Sequence, residues 1–292
     1  MNGIIVIDKP SGWTSHDVVG KLRGIFHEKR IGHGGTLDPM ATGVLPVFVG
    51  RATRAVQFCE NAEKRYRAAL RPGVSTDTQD ITGTVLRTSE AEFTEERLRE
   101  VLQSFTGPLK QIPPMYSAVK VGGKKLYELA RRGETVERKA REIDIMSLEY
   151  LGRTEDGDYM LDVLCSKGTY IRTLCSDIGD ALGCGGTLSY LRRMGAGIFS
   201  EEDAVTIKEV EEAAASGCLD GILRPVDSLF SNLEKTVAEG SGALAAVYNG
   251  GCYKTSLPDG KYRVYDGQGC FLMLGLAENG TMKTIKSFFE VK

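Results

Sequence analysis

The chain has 292 residues, 41% hydrophobic and 26% charged, with a net charge of −2, the balance of a globular protein with room for one large domain and a small one. No apolar run approaches the roughly 20 residues that cross a bilayer, and Met1-Asn2-Gly3-Ile4 lacks the charged start and cleavage site of a signal peptide. Seven cysteines, odd in number and scattered without a Cys-x-x-Cys pair, predict reduced thiols in a cytoplasm and argue against a disulfide framework or a zinc site.

Residues 3–7, Gly-Ile-Ile-Val-Ile, read as a buried strand stopped by Asp8-Lys9-Pro10. Thr14 and Asp17 have capping-box spacing and open a helix whose core face is Val18, Val19, Leu22, Ile25 and Phe26. Residues 32–46 follow as Gly-His-Gly-Gly-Thr-Leu-Asp-Pro-Met-Ala-Thr-Gly-Val-Leu-Pro. Four glycines and two prolines crowd one carboxylate, Asp38, and one imidazole, His33. Glycine lets a backbone approach a bulky partner, and Pro39 holds Asp38 near the extended region. The stretch fits a loop that aims a carboxylate at a large ligand, or a surface loop whose Asp caps a turn. It is not a P-loop, because no Lys-Ser/Thr follows the glycines.

Residues 64–70 alternate as a strand, with Tyr66 set among Lys64, Arg65 and Arg67. That setting suits half-buried packing or stacking on a base beside its phosphates. In the polar loop 75–83, Asp77 and Asp80 are turn stabilisers, since two carboxylates are a poor metal site. A helix is predicted over 94–105, with Leu98, Val101, Leu102 and Phe105 inward. Residues 109–142 carry nine Lys/Arg against four Asp/Glu, whereas 200–251 carry ten acidic against three basic residues. The near-neutral total therefore hides a basic region compatible with a phosphate backbone. Pro113, Pro114 and Gly133 mark the basic stretch as an excursion from the core, with a short helix ending at Gly133.

Strands are predicted over 143–151 and 159–165. The helix after Tyr170 has a buried stripe of Ile171, Leu174, Cys175, Ile178 and Leu182, with Arg172 off it in the first turn. A cation there faces the positive end of the helix dipole and calls for an anion, either phosphate or carboxylate. An acidic helix covers 207–216. From about residue 238 the composition turns glycine-rich, and Asp266-Gly267 and Asn279-Gly280 signal hairpins of a small all-β module.

The stretches 3–16, 32–50, 64–83, 111–133 and 166–193 together resemble the TruB-type tRNA pseudouridine synthases, which isomerise uridine in the T loop of tRNA. The resemblance implies an α+β fold: a mixed, largely antiparallel sheet flanked by helices over 1–235, with an RNA-gripping insertion at about 108–142. Residues 238–292 would form a β-rich, PUA-like RNA-binding domain. It implies Asp38 as the catalytic carboxylate, paired with and kept ionised by Arg172. Tyr66 would stack on the target uracil and help with the C5 proton. His33, Tyr170, Leu191 and Lys9 would contact the substrate or, for Lys9, the active-site loop. The implied partner is the T arm of tRNA, with position 55 as the target, no metal or other cofactor, and no obligatory protein partner. Asp38 would either attack C1′ or take a proton from C2′. The competing readings are a non-catalytic tRNA-folding chaperone, a glycoside-type hydrolase, which normally needs two carboxylates, and a guide-RNA-dependent relative.

Overall fold

Alternation along the first strand sets up both faces of the main sheet. Ile5 and Ile7 of the strand Gly3–Lys9 enter one apolar cluster, and Ile4 and Val6 enter another, as the two-residue period of a strand requires. The computed structural model describes residues 1–289. The strand order across the ten-stranded sheet is Ala204–Val205, Gly3–Lys9, Thr42–Val49, Gly186–Ala196, Lys64–Pro72, Tyr159–Cys165, Arg141–Arg153 and Gly107–Gln111, and off this path Ile31–His33 pairs with Thr42–Val49 and Phe199–Ser200 with Gly186–Ala196. Pairing is antiparallel except where Gly3–Lys9 meets Ala204–Val205 and where Thr42–Val49 meets Gly186–Ala196.

The helices Ser15–Phe26, Glu95–Ser104, Ile171–Ala181 and Ile207–Ala215 bury their apolar stripes in the same cluster as Ile5, Leu45, Ala68, Leu161 and Leu188. Helices on one face of a mostly antiparallel sheet make the fold α+β. The capping box at Thr14 and Asp17 is formed, each side chain bonding the other's backbone N–H. Between the strands Gly107–Gln111 and Arg141–Arg153 lies the basic insertion, with a two-residue hairpin, Lys120–Val121 with Lys124–Lys125, and the short helix Leu126–Ala130.

The second sheet runs Glu234–Val237, Gly260–Tyr265, Phe271–Glu278, Thr281–Ser287 and Tyr253–Lys254. It begins at residue 234, ahead of the boundary expected at 238, because Glu234–Val237 pairs parallel with Gly260–Tyr265. The expected all-β module also holds a helix, Gly240–Tyr248. Three alanines and a leucine within residues 243–246 have the helix propensity that hairpin signals on either side obscure. Asn279 and Gly280 both adopt positive φ, 51° and 70°, as a two-residue hairpin turn demands. Leu274 and Phe288 of this lobe share one apolar cluster with Ile4, Val6, Val44 and Phe48 of the main sheet, and Phe230 packs between them.

Candidate active site

The loop bearing Asp38 is gripped on both sides. Before it, the buried Ser15 hydroxyl accepts from the Leu37 N–H at 2.9 Å and donates to the Leu37 carbonyl at 3.2 Å. After it, the Pro39 carbonyl accepts from the Gly12 N–H at 2.8 Å and from Lys9 Nζ at 3.2 Å. Gly43, at the start of the next strand, has φ +98°, and a Cβ there would lie 2.3 Å from the Arg193 carbonyl. A side chain is therefore barred where the loop rejoins the sheet.

Arg172 reaches Asp38 from 134 residues away. Its Nε lies 2.9 Å from Asp38 Oδ2, and its Nη2 donates to the Tyr116 carbonyl at 2.9 Å. Its Nη1 donates to the Thr78 carbonyl at 3.0 Å and lies 3.5 Å from Asp80 Oδ2. The expectation that Arg172 falls off the buried stripe fails: the side chain is 4% exposed. The Asp80 loop and the Tyr116 carbonyl of the basic insertion cover the helix's first turn, a contact between distant segments that helical periodicity does not encode. The position of that turn is fixed in turn by Gln111, whose side-chain amide bonds both the N–H and the carbonyl of Tyr170.

Asp38 and Arg172 open onto a cleft of about 800 Å³ that Tyr66, Tyr170 and Leu191 also line. Tyr66 and Leu191 come from neighbouring strands of the sheet. Of the other expected contacts, His33 and Lys9 are displaced. His33 does not line the cleft; its ring stands edge-on behind that of His16, 5.4 Å between centroids, and its Nδ1 is buried without a hydrogen-bond partner. His16, in the first turn of the helix Ser15–Phe26, is exposed and forms the wall. Lys9 is fully buried and spends its ammonium on the carbonyls of Pro10, Trp13 and Pro39. It touches the active-site loop from beneath and has no surface to offer a substrate.

Asp80 is more than a turn stabiliser. Its Oδ1 accepts from the hydroxyls of Thr78 and Thr82, as the polar loop predicts, while Oδ2 supplies Arg172 with a second carboxylate. Sequence reasoning also passed over Lys64 and Arg193, both buried and both on the cleft wall. A cation in an alternating strand carries no signal of which face it occupies once the register is broken by the bulges present here. Among the described residues no group of three or more His, Cys, Asp or Glu side chains is placed to hold a metal ion.

Burial dominates the electrostatics. It pushes the Asp38 carboxyl above the usual range; Arg172 pulls it back and Asp80 adds to the rise. The pairing with Arg172 thus offsets part of the cost of desolvation and favours the ionised form. Burial likewise raises the Tyr66 phenol, opposed by Arg193, so that Tyr66 is a neutral phenol near pH 7. Burial, then His16 and Arg193, hold His33 down to about 4, in the neutral form. Lys9 falls to about 8 by burial, against the pull of Asp38.

This arrangement can set an oxygen nucleophile or base against one face of a nucleoside-sized group while an aromatic ring holds its flat part. A profile described as "TruB family pseudouridylate synthase (N terminal domain)" matches residues 23–171, and one described as "tRNA pseudouridylate synthase B C-terminal domain" matches residues 172–231. A tRNA pseudouridine synthase B of Alkaliphilus oremlandii is 45% identical over 89% of this chain and 85% of its own length. One of Clostridium perfringens is 41% identical over 99% of this chain and 100% of its own. Among solved structures, a Cbf5-Nop10-Gar1 complex aligns with TM-score 0.73 and 28% identity, covering 98% of this chain and 85% of that one. An H/ACA RNP bound to a substrate RNA containing 2′-deoxyuridine aligns with TM-score 0.72 and 26% identity, covering 99% and 85%. With a site of this shape and relatives aligned end to end, the chain belongs to the TruB family of pseudouridylate synthases.

Proposed function

We propose that this pseudouridine synthase isomerises the T-loop uridine at position 55 of tRNA and that Asp38 is its catalytic carboxylate. The supporting observation is the Asp38–Arg172 pair at the cleft that also holds Tyr66, Tyr170 and Leu191. The reaction breaks the bond from C1′ to N1, turns the uracil and rejoins C1′ to C5, with no change of oxidation state. Asp38 acts on the ribose, by attack on C1′ or by removing the C2′ proton, and both routes need it ionised. Arg172 orients it through the Nε and Nη2 contacts. Extruding a base from a folded loop costs a few kcal/mol, and stacking on Tyr66 returns about 1–3 kcal/mol. As a neutral phenol, Tyr66 suits stacking and hydrogen-bond donation better than abstraction of the C5 proton.

Tyr170 and Leu191 flank the uracil, and His16, backed by the His33 ring, separates it from its former neighbours. The insertion at 108–142 and the lobe beginning at residue 234 extend the contact along the RNA. The enzyme works in the cytoplasm on tRNA alone, without a protein partner. Wild-type protein should release tritium from a bare tRNA transcript labelled at C5 of uridine, and pseudouridine at position 55 should vanish from cells lacking it. Absence of tritium release from the bare transcript overturns the proposal. Unchanged folding of tRNA by the wild type and by an Asp38→Asn variant, with no tritium released by either, would show the chaperone reading to be the better one.

A further inference from the structure

Three cations lie under the cleft, held by carbonyl oxygens: Lys9, Lys64 and Arg193 are 0%, 7% and 1% exposed. Lys64 Nζ donates to the carbonyls of Cys59, Glu60 and Ala62. Arg193 donates through Nε to the Val44 carbonyl at 2.6 Å and through Nη2 to the Gly35 carbonyl at 3.2 Å. Carbonyl dipoles satisfy hydrogen bonds without cancelling charge, and burying a cation without an anion is costly. The charge of Asp38 acts on Lys9 and favours its ammonium form. Lys64 and Arg193 instead line the cleft, which gives its floor a positive surplus.

Arg193 is the better placed of the two. It lies opposite Tyr66 in the antiparallel register, and Leu191, two residues earlier, shares its face of the strand. Its positive charge acts on the Tyr66 phenol, opposing the rise that burial imposes. The ring on which a uracil would stack is thus backed by a buried positive charge.

We propose that Arg193, supported by Lys64, stabilises the negative charge on the uracil while it is detached from the ribose. The inference rests on the isomerase reading above. When the C1′–N1 bond breaks, its electron pair leaves with the uracil, which becomes an anion delocalised over N1, O2 and O4. After rotation, C5 bonds to C1′, the C5 proton departs and N1 takes up a proton, so atoms and electrons balance. In either route Asp38 gives up its charge, as an ester of C1′ or by taking the C2′ proton, so it offers the detached uracil no compensation, and Arg172 stays engaged with Asp80 and with the Thr78 and Tyr116 carbonyls. The charge that retains the uracil must come from elsewhere, and in a desolvated floor a fixed cation acts strongly.

The test compares single-turnover rearrangement of uridine-containing and 5-fluorouridine-containing T-arm RNA, because fluorine acidifies the uracil and lessens its need for stabilisation. Arg193→Met should slow the uridine substrate about 10²–10³-fold, the range for losing one preorganised donor, and slow the fluorinated one about tenfold less. Arg193→Lys, which keeps the charge, should recover most of the loss. Lys64→Met should show the same ordering at smaller size, and it carries the test if Arg193→Met does not fold. Equal losses on the two substrates, or none, overturn the inference while leaving the isomerase reading intact. Inactivity of the wild-type protein on both overturns the isomerase reading itself.

Discussion

Replacing Arg172 by Met removes the positive charge from a site that keeps two carboxylates, Asp38 and Asp80, and leaves the Thr78 and Tyr116 carbonyls without their donor. Asp38 is about a third exposed, so an effective dielectric near 20 is appropriate, and a cation a few ångströms away then contributes about 4 kcal/mol to its ionised form. At 1.36 kcal/mol per tenfold, that sets a limit of about 10³-fold on the loss of the ionised form, with the Asp38 carboxyl driven further above its usual range. The sign follows from which form works: the ionised carboxylate is active, so activity is present above its pKa and lost as pH falls through it. Burial already raises that pKa in the wild type, and the variant should move the acidic limb of the rate profile upward again. Single-turnover tritium release from C5-labelled tRNA, followed from about pH 5 to about pH 10, should give a variant rate lower by up to about 10³-fold near neutrality that partly recovers at high pH. tRNA affinity, read by filter binding, should change little. A variant profile that is uniformly lower but has the wild-type midpoint would refute the claim that Arg172 acts by keeping Asp38 ionised.

Asp38→Asn, nearly isosteric but uncharged, should bind tRNA normally and release no tritium; residual release above background would remove Asp38 from the chemistry. His33 titrates at about 4 in the fold against 6.5 unfolded, so the unfolded chain binds more protons in that window and stability falls as pH drops through it. The loss is at most about 3 kcal/mol, and urea melts of His33→Gln at about pH 5 and about pH 8 should differ less than those of the wild type. Gly43→Ala would place its Cβ against the Arg193 carbonyl at positive φ and should destabilise by about 3 kcal/mol or more; calorimetry showing an unchanged midpoint would contradict the loop geometry. Neutralising the exposed Lys120, Lys124 and Arg132 of the insertion should reduce the slope of log affinity against log salt by about 2–3 without altering the single-turnover rate.

Much of the site was legible because its signals are local. The glycine and proline spacing around Asp38 announced a constrained loop, and a cation in the first turn of a helix demanded an anion. What sequence could not give was depth. Lys9 sits beside a turn signal and reads as exposed, yet three carbonyls close over it; Arg172 departs from the helical period yet is covered by segments some 60 and 90 residues away. Asp80 announced its turn and concealed its second oxygen. His33 ends the strand Ile31–His33 and His16 lies in the first turn of the helix Ser15–Phe26, and neither segment carries a signal of which ring reaches the cleft. In the C-terminal lobe Asn279-Gly280 makes the turn its residues announce, Asp266-Gly267 opens a longer connection whose positive φ falls at Gly269, and the alanine-rich helix between glycines was hidden by the glycines themselves.

The shared apolar cluster of Ile4, Val6, Val44, Phe48, Phe230, Leu274 and Phe288 makes the two lobes a single casting. A chain cut before residue 238 would expose a bare aromatic wound on the back of the main sheet, so such a fragment would precipitate instead of reporting what the catalytic half does alone. It also fixes the span from the cleft to the far lobe, so that an RNA laid across both is gauged against a rigid rule, and any adjustment of fit must come from the RNA or from the insertion.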